Sequence, residues 1–142
     1  MKSKYQLLGR CGLFCGTDCE VYRAAHSKDI QVKKRMTEVL EQELRIKLDP
    51  YSLQCEGCQG SEEKMWFECR ICLIRRCGKS HGVKICTECS HYPCPVMELW
   101  LYESNYSPKN LREISELGLD RWINKKSDEM ITKAEQVNQS AD

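Results

Sequence analysis

Eleven of the 142 residues are cysteines, and their spacing is typical of metal ligands. Six of them form three C-x-x-C pairs, which are Cys55/Cys58, Cys69/Cys72 and Cys86/Cys89. Such a pair offers two thiolates from one turn of the chain, and a structural zinc ion binds four ligands in a tetrahedron. The first two pairs together read C-x2-C-x10-C-x2-C, which is close to zinc-ribbon spacing. The pattern predicts a closed structural zinc site.

The remaining cysteines of this stretch, Cys77 and Cys94, flank the third pair. Taken in sequence order, one ion would bind Cys55, Cys58, Cys69 and Cys72, and a second would bind Cys77, Cys86, Cys89 and Cys94. Interleaved sets fit almost as well, because spacing along the chain does not fix which sulfurs share an ion. The region between Cys55 and Cys94 is poor in aliphatic residues, so we expect bound metal to offset its chain entropy.

Three further cysteines lie near the N-terminus, at Cys11, Cys15 and Cys19. They could form a third structural site completed by another cysteine or by His26, His81 or His91. They could also hold a zinc ion with an open position, as catalytic zinc sites do, or three corners of an iron–sulfur cluster. Their C-x3-C-x3-C spacing differs from the ferredoxin run, so the iron–sulfur signal is weak.

Composition narrows the classes of function. The net charge of +1 gives no basic field for nucleic acid, and we expect the basic runs 33–35, 75–76 and 125–126 to be solvated. No stretch approaches the roughly 20 apolar residues of a membrane span, and the first ten residues have no apolar run long enough for a secretory signal, so we expect neither. The expected location is the cytoplasm, where thiols stay reduced and serve as ligands instead of disulfides.

Apolar spacing and capping residues predict helices around the cysteines. The clearest helix covers residues 29–47, with an apolar stripe that includes Met36 and Leu40 and an end set by Asp49-Pro50. A helix begins near Thr17 or Asp18, another follows Cys72, and others begin at Pro95, at Ser107-Pro108 and at Asp120. The helix that begins at Pro95 is expected to carry the apolar residues Val96, Leu99 and Trp100. Residues 65–67 are expected to form a short strand or the roof of the first site.

These elements define a fold class. We expect a small, metal-stabilised, mainly α-helical protein, with zinc-knuckle or ribbon-like loops packed with about four or five helices and little β structure. Residues 1–104 would form the cysteine-rich domain, with helix 29–47 inserted between cysteine groups. Residues 105–135 would form a C-terminal helical appendage, and residues 136–142 a frayed tail.

The ordered motifs resemble a cysteine-rich prokaryotic family of unknown function. The similarity lies in the runs CGLFCG at 11–16, CEGCQG at 55–60, CRICLIRRC at 69–77 and CTECSHYPC at 86–94. Segments around Asn110, Leu117 and Trp122 are also similar to parts that follow this domain in some members. The resemblance implies a bacterial or archaeal cytosolic protein with proposed zinc binding, and it implies no established activity.

The function indicated by these patterns is metal binding in a structural or interaction module. The expected cofactor is zinc, two or three ions, with an iron–sulfur cluster as the alternative, and all eleven cysteines are candidate ligands. A redox protein using Cys11, Cys15 and Cys19 is one alternative function, and a zinc enzyme with an open site there is another. The chain has no H-E-x-x-H, phosphate-loop or G-x-S-x-G motif, which disfavours an enzyme. A protein partner is compatible with this composition.

Overall fold

The computed structural model describes residues 3–103 and 107–140, with side chains up to residue 133. Within these ranges the chain forms eight α-helices and no β-strand, as expected for a mainly α protein. Five helices have eight or more residues, which agrees with the predicted four or five. In chain order the helices are α1 Cys15–Asp18, α2 Glu20–Ala25, α3 Ile30–Leu44, α4 Phe67–Arg70, α5 Leu73–Ser80, α6 Pro95–Glu103, α7 Ser107–Leu117 and α8 Leu119–Ser140.

The N-terminal segment is a tight loop that leads into two short helices. An isolated antiparallel bridge pairs Leu8 with Phe14, and α1 begins directly afterwards. Cys19 is the N-cap of α2, and its sulfur accepts a hydrogen bond from the Tyr22 backbone N–H. The prediction of Thr17 or Asp18 as cap is therefore wrong. Asp18 instead accepts a hydrogen bond from the Phe14 backbone N–H, at 3.1 Å.

Helix α3 confirms the longest predicted helix but ends earlier than expected. Asp29 is its N-cap and accepts a hydrogen bond from the Gln31 backbone N–H. The helix ends at Leu44 because Arg45 adopts a left-handed conformation, with φ of 55°. The helix therefore ends before Asp49-Pro50, where the sequence predicts its end. Pro50 instead opens a short 3-10 turn over Pro50–Ser52.

Buried side chains form two hydrophobic clusters. The first core joins the N-terminal loop to α5, α6, α7 and α8, and its largest fully buried side chains are Trp122 and Phe14, whose rings meet edge to face. The second core lies around α2, α3 and the central turns, and its buried members are Ala24, Leu40, Leu53, Cys55, Met65 and Trp66. Cysteines contribute to both clusters, so thiols take positions that aliphatic residues fill in other small domains.

The segment between the first two C-x-x-C pairs is not a strand. Met65 and Trp66 are buried in the second core, and α4 begins at Phe67. A 3-10 turn over Glu62–Lys64 precedes them. The strand prediction for residues 65–67 is therefore wrong: the backbone is extended at Met65 and Trp66, but α4 begins at the next residue and no neighbouring strand pairs with them in the described residues.

Helices α6 and α7 start where the sequence predicted, whereas α8 begins at Leu119, ahead of Asp120, and α6 buries a different face. Val96 and Leu99 are exposed, whereas Met97 is buried in the first core and Trp100 packs against it. Helix α7 ends before Gly118, which has a φ of +86° as a C′ glycine requires. Helix α8 begins at Leu119 and buries Trp122 and Ile123. Asp120, the predicted cap, accepts a hydrogen bond from the Tyr5 hydroxyl and pairs with Lys4.

The Arg75-Arg76 pair also departs from expectation. Arg76 is exposed as predicted, but Arg75 is only 6% exposed. The Arg75 side chain points inward because it hydrogen-bonds to a backbone carbonyl and pairs with Glu62. Of the two arginines that were predicted to be solvated, Arg75 is therefore buried and Arg76 is not.

In the ranges that the structure describes, no helix is both long and apolar enough to span a membrane. Helix α8 continues to Ser140, past residue 136 where the tail was predicted to begin. The division into residues 1–104, 105–135 and 136–142 stays a prediction.

Candidate metal centre

Two sulfurs from distant parts of the chain make a direct contact. The Sγ atoms of Cys15 and Cys58 lie 3.4 Å apart, although 43 positions separate the residues. Cys15 is the first residue of α1 and is 2% exposed, while Cys58 ends the turn that begins at Cys55. The fold therefore brings the N-terminal cysteine motif directly onto the first C-x-x-C pair.

Two further cysteines are neighbours of this contact. The Cys69 thiol shifts the pKa of both Cys58 and Cys55. Cys19 faces Cys55 and Cys69 at longer range. We call these five residues the first sulfur group: Cys15, Cys19, Cys55, Cys58 and Cys69.

Crowding of the thiols disfavours their ionisation in the absence of metal. The hydrogen bond with Cys15 is the main cause that raises the pKa of Cys58 well above its usual range. The contact with Cys69 does the same for the pKa of Cys55, and burial adds to it. Cys55 lowers the pKa of Cys69, but Cys58 and burial outweigh this effect and raise it to about 12. A second negative charge is costly here unless a cation accompanies it.

The other six cysteines lie on the side of the first core. Cys11 and Cys86 are buried in that core, and Cys72 and Cys94 pack against it. Cys77 and Cys89 also face Cys86, whose pKa burial and neighbouring sulfurs raise to about 12. We call these residues the second sulfur group: Cys11, Cys72, Cys77, Cys86, Cys89 and Cys94.

The two sulfur groups separate Cys69 from Cys72, although these residues form a C-x-x-C pair in the sequence. Cys69 packs against the second core, whereas Cys72 packs against the first core. The separation arises because Cys69 lies inside α4 while Cys72 is the N-cap of α5, so a change of chain direction falls between them. The sequence-order set with Cys72 beside Cys55, Cys58 and Cys69 is not the arrangement of contacts in the structure.

The three N-terminal cysteines also have different neighbours. Cys15 contacts Cys58, Cys19 faces Cys55, and Cys11 faces Cys72. The candidate histidines differ in what they contact. The His26 ring contacts the Cys55 carbonyl oxygen at 2.7 Å through Nε2 and stacks on Tyr22. His81 Nδ1 lies 2.9 Å from the Cys77 carbonyl oxygen and 3.6 Å from the Cys77 sulfur, and the His81 ring meets that of His91 edge to face.

Two arginines that motif analysis did not select lie beside the sulfur groups. Arg75 donates a hydrogen bond from Nε to the Cys58 carbonyl oxygen at 3.1 Å and one from Nη2 to Glu62 at 2.9 Å. Arg10 donates from Nε to the Val83 carbonyl oxygen and stands close to both Cys58 and Cys86. Positive charge near both groups suits thiolates, which carry negative charge when they bind a metal ion.

The donor set suits zinc, although the atoms are not arranged around an ion. The eleven cysteines are free thiols, and sulfur is a preferred ligand of structural zinc. Across residues 3–103 and 107–140, no group of three or more His, Cys, Asp or Glu side chains is positioned to hold a metal ion. Within the first sulfur group, the sulfurs of Cys15 and Cys58 meet at 3.4 Å as hydrogen-bonding partners.

The fold and the thiols together define a small, mainly helical, cysteine-rich domain. Residues 7–99 match the model of a family described as "Protein of unknown function (DUF3795)", so the chain belongs to that family. The match covers the eleven cysteines and ends within α6. No curated protein matches the chain. No solved structure matches it either.

Proposed function

We propose that this protein is a zinc-binding structural module in which two ions, one for each sulfur group, hold the cysteine-rich part of the chain together. The observation that carries the proposal is the 3.4 Å separation of the Cys15 and Cys58 sulfurs across 43 positions of sequence. Thiols converge from distant segments in this way where one ion is to bind them.

The amount of apolar burial supports a need for metal. The second core has six buried members, and one of them, Cys55, is itself a thiol. Short 3-10 turns and loops, which lack the continuous backbone hydrogen bonding of a long helix, make up most of residues 50–66. A structural zinc ion contributes on the order of 10–16 kcal/mol of apparent binding free energy, which is large compared with the stability of a small domain. The function follows from this: the ions fix the shape of the surface that the module presents to other molecules.

Chelation coupled to spectroscopy tests the proposal. Protein purified without oxygen is treated with a strong chelator, and helix content is followed by far-ultraviolet circular dichroism. We expect helix signal and the cooperative thermal transition to be lost, and both to return when zinc is added back under reducing conditions. An unchanged spectrum and unchanged thermal transition, with all eleven thiols reactive and no zinc in the chelate, would contradict the proposal.

A further inference from the structure

We infer that Cys15 and Cys58 form an oxidation-sensitive pair, whose two thiols a hydroperoxide converts into a disulfide between α1 and the turn of the first C-x-x-C pair. The inference goes beyond the proposed function, which concerns the reduced protein. It adds an oxidised state in which a covalent bond joins these two segments.

The distance between the two sulfurs is short enough for a bond to form without a large movement. The Sγ atoms lie 3.4 Å apart, and both residues are free thiols. A disulfide bond is about 2.05 Å long, so the sulfurs have to approach each other by about 1.4 Å. Rotation of the two side chains about their Cα–Cβ bonds moves the sulfurs by distances of this size.

The backbone keeps the two segments together independently of the sulfurs. The Gln6 side chain donates to the Glu56 carbonyl oxygen at 2.6 Å, and the Gln59 backbone N–H donates to the Gln6 carbonyl oxygen at 2.9 Å. The Cys15 backbone N–H donates to the Leu7 carbonyl oxygen at 2.8 Å. Residues 6 and 7 therefore hold both the turn that carries Cys58 and the start of α1, so the disulfide forms within the folded chain.

The two cysteines differ in exposure, which assigns them different parts in the reaction. Cys15 is 2% exposed, whereas Cys58 is half-buried, so a small oxidant such as hydrogen peroxide reaches Cys58 first. Cys15 then acts as the resolving thiol that completes the disulfide. Because the contact with Cys15 raises the pKa of Cys58, little thiolate is present, and we expect slow oxidation.

The reaction transfers two electrons from the sulfurs to the peroxide. The Cys58 sulfur attacks one peroxide oxygen, the O–O bond breaks, and one water leaves, which gives a sulfenic acid on Cys58. The Cys15 sulfur then attacks the Cys58 sulfur, and the S–O bond breaks. The oxygen leaves as a second water that takes up the Cys15 proton. Two thiols and one hydrogen peroxide thus give one disulfide and two waters.

Two other cysteines are neighbours of Cys58, but the second core holds both. Cys55 is 4% exposed and is one of the buried members of that core, and Cys69 packs against it. A disulfide to either residue has to move a side chain that is packed there. The Cys58 sulfur already meets that of Cys15 at hydrogen-bonding distance. We therefore expect the Cys15–Cys58 bond to form ahead of the Cys55–Cys58 bond within the C-x-x-C pair.

Peptide mapping of the oxidised full-length protein tests the inference. Protein as purified is treated with hydrogen peroxide, unfolded, blocked at its remaining thiols with N-ethylmaleimide and digested with trypsin and then a glutamyl endopeptidase. Trypsin cleaves after Arg23 and Lys47, so a Cys15–Cys58 bond joins two separate peptides, and tandem mass spectrometry assigns the cysteines. We expect this pair to be the main disulfide, and dithiothreitol to reverse it.

Two other results would overturn the inference. One is a Cys55–Cys58 or Cys58–Cys69 bond as the main product, and the other is sulfinic acid on Cys58 with no disulfide. Neither result bears on the proposed function, which the zinc content of the untreated protein tests separately.

Two serine variants provide a second readout. In Cys15→Ser the resolving thiol is gone, so we expect the Cys58 disulfide to disappear and a sulfenic acid on Cys58 to be trapped by dimedone. Cys19→Ser is the matched control from the same loop and should form the Cys15–Cys58 disulfide in the wild-type amount. A wild-type amount of Cys58 disulfide in folded Cys15→Ser would overturn the inference. Should that variant not fold, the wild-type peptide map decides.

Discussion

The buried guanidinium of Arg75 donates a hydrogen bond from Nε to the backbone carbonyl oxygen of Cys58, over 3.1 Å. This bond ties α5 to the turn of the first C-x-x-C pair, at the cysteine that also contacts Cys15. A residue outside every cysteine motif thereby helps to position a candidate ligand.

Replacing Arg75 should weaken the fold, whereas replacing its neighbour should not. Arg75→Ala leaves the Cys58 carbonyl without this donor, and we expect a loss of about 1–3 kcal/mol of unfolding free energy. Arg76→Ala is the matched control, because Arg76 is exposed and its loss should change stability by no more than about 0.5 kcal/mol. Urea denaturation of the two metal-loaded variants measures both values. Equal effects would show that the buried hydrogen bond has no structural role.

The turn of the first C-x-x-C pair also depends on Gly57. Its φ is +100°, and a Cβ there would lie 2.6 Å from the Gln6 carbonyl oxygen. Gly57→Ala should therefore cost about 1–2 kcal/mol for the backbone conformation and more for the clash with backbone. Gly82→Ala tests the conformational part alone, since Gly82 has a φ of +68° with nothing within 4 Å of its Cβ position.

Thermal unfolding of the two glycine variants separates these contributions. We expect the midpoint of Gly57→Ala to fall clearly below that of Gly82→Ala, together with a lower zinc content. If both variants melt alike, the N-terminal segment and the first C-x-x-C turn are less closely packed than the structure indicates.

Asn110 links α7 to the N-terminal cysteine loop. Its side-chain amide is buried and donates hydrogen bonds to the Gly12 carbonyl oxygen at 2.8 Å and to Asp18 at 3.0 Å. Asn110→Ala should cost about 1–3 kcal/mol, because it leaves a buried carbonyl without its donor. Asn124→Ala, at an exposed position on α8, is the control and should be near neutral. Hydrogen exchange at residues 11–18 should accelerate in the first variant and stay unchanged in the second.

Serine substitution distinguishes a central sulfur from a peripheral one. The Cys58 sulfur contacts that of Cys15, whereas the Cys19 sulfur caps α2. We expect Cys58→Ser to lose one zinc ion and most of its thermal stability, and Cys19→Ser to keep both its zinc and its stability, because a serine hydroxyl can take over the N-cap hydrogen bond of α2. Zinc content and melting midpoint of the two purified variants provide the check. Loss of zinc from Cys19→Ser alone would contradict this ranking.

Local patterns predicted much of the helical framework. Asp29 caps α3, Pro95 opens α6, and Gly118 ends α7, each because a single residue type satisfies the backbone at a helix end. The α6 face was predicted wrongly because Val96, Met97 and Leu99 are all apolar, and only the position of the first core decides that Met97 is buried.

The neighbours of the sulfurs could not be predicted in the same way. Spacing shows that Cys69 and Cys72 are three positions apart, but the change of direction between α4 and α5 sends them toward different cores. The contact of Cys15 with Cys58 depends on the hydrogen bonds of Gln6, which no cysteine motif contains. The sequence does not mark Arg75 as a buried residue. Its burial becomes clear once α5 is placed with the neighbouring Ile74 in the first core.

The metal content of the protein as purified tests the central claim most directly. Elemental analysis of chain prepared without oxygen, normalised to protein by amino-acid analysis, should give about two zinc ions per chain and no iron. Iron with inorganic sulfide would replace the zinc proposal with an iron–sulfur protein. A folded chain with no metal of any kind would contradict the claim that metal ions hold its thiols together.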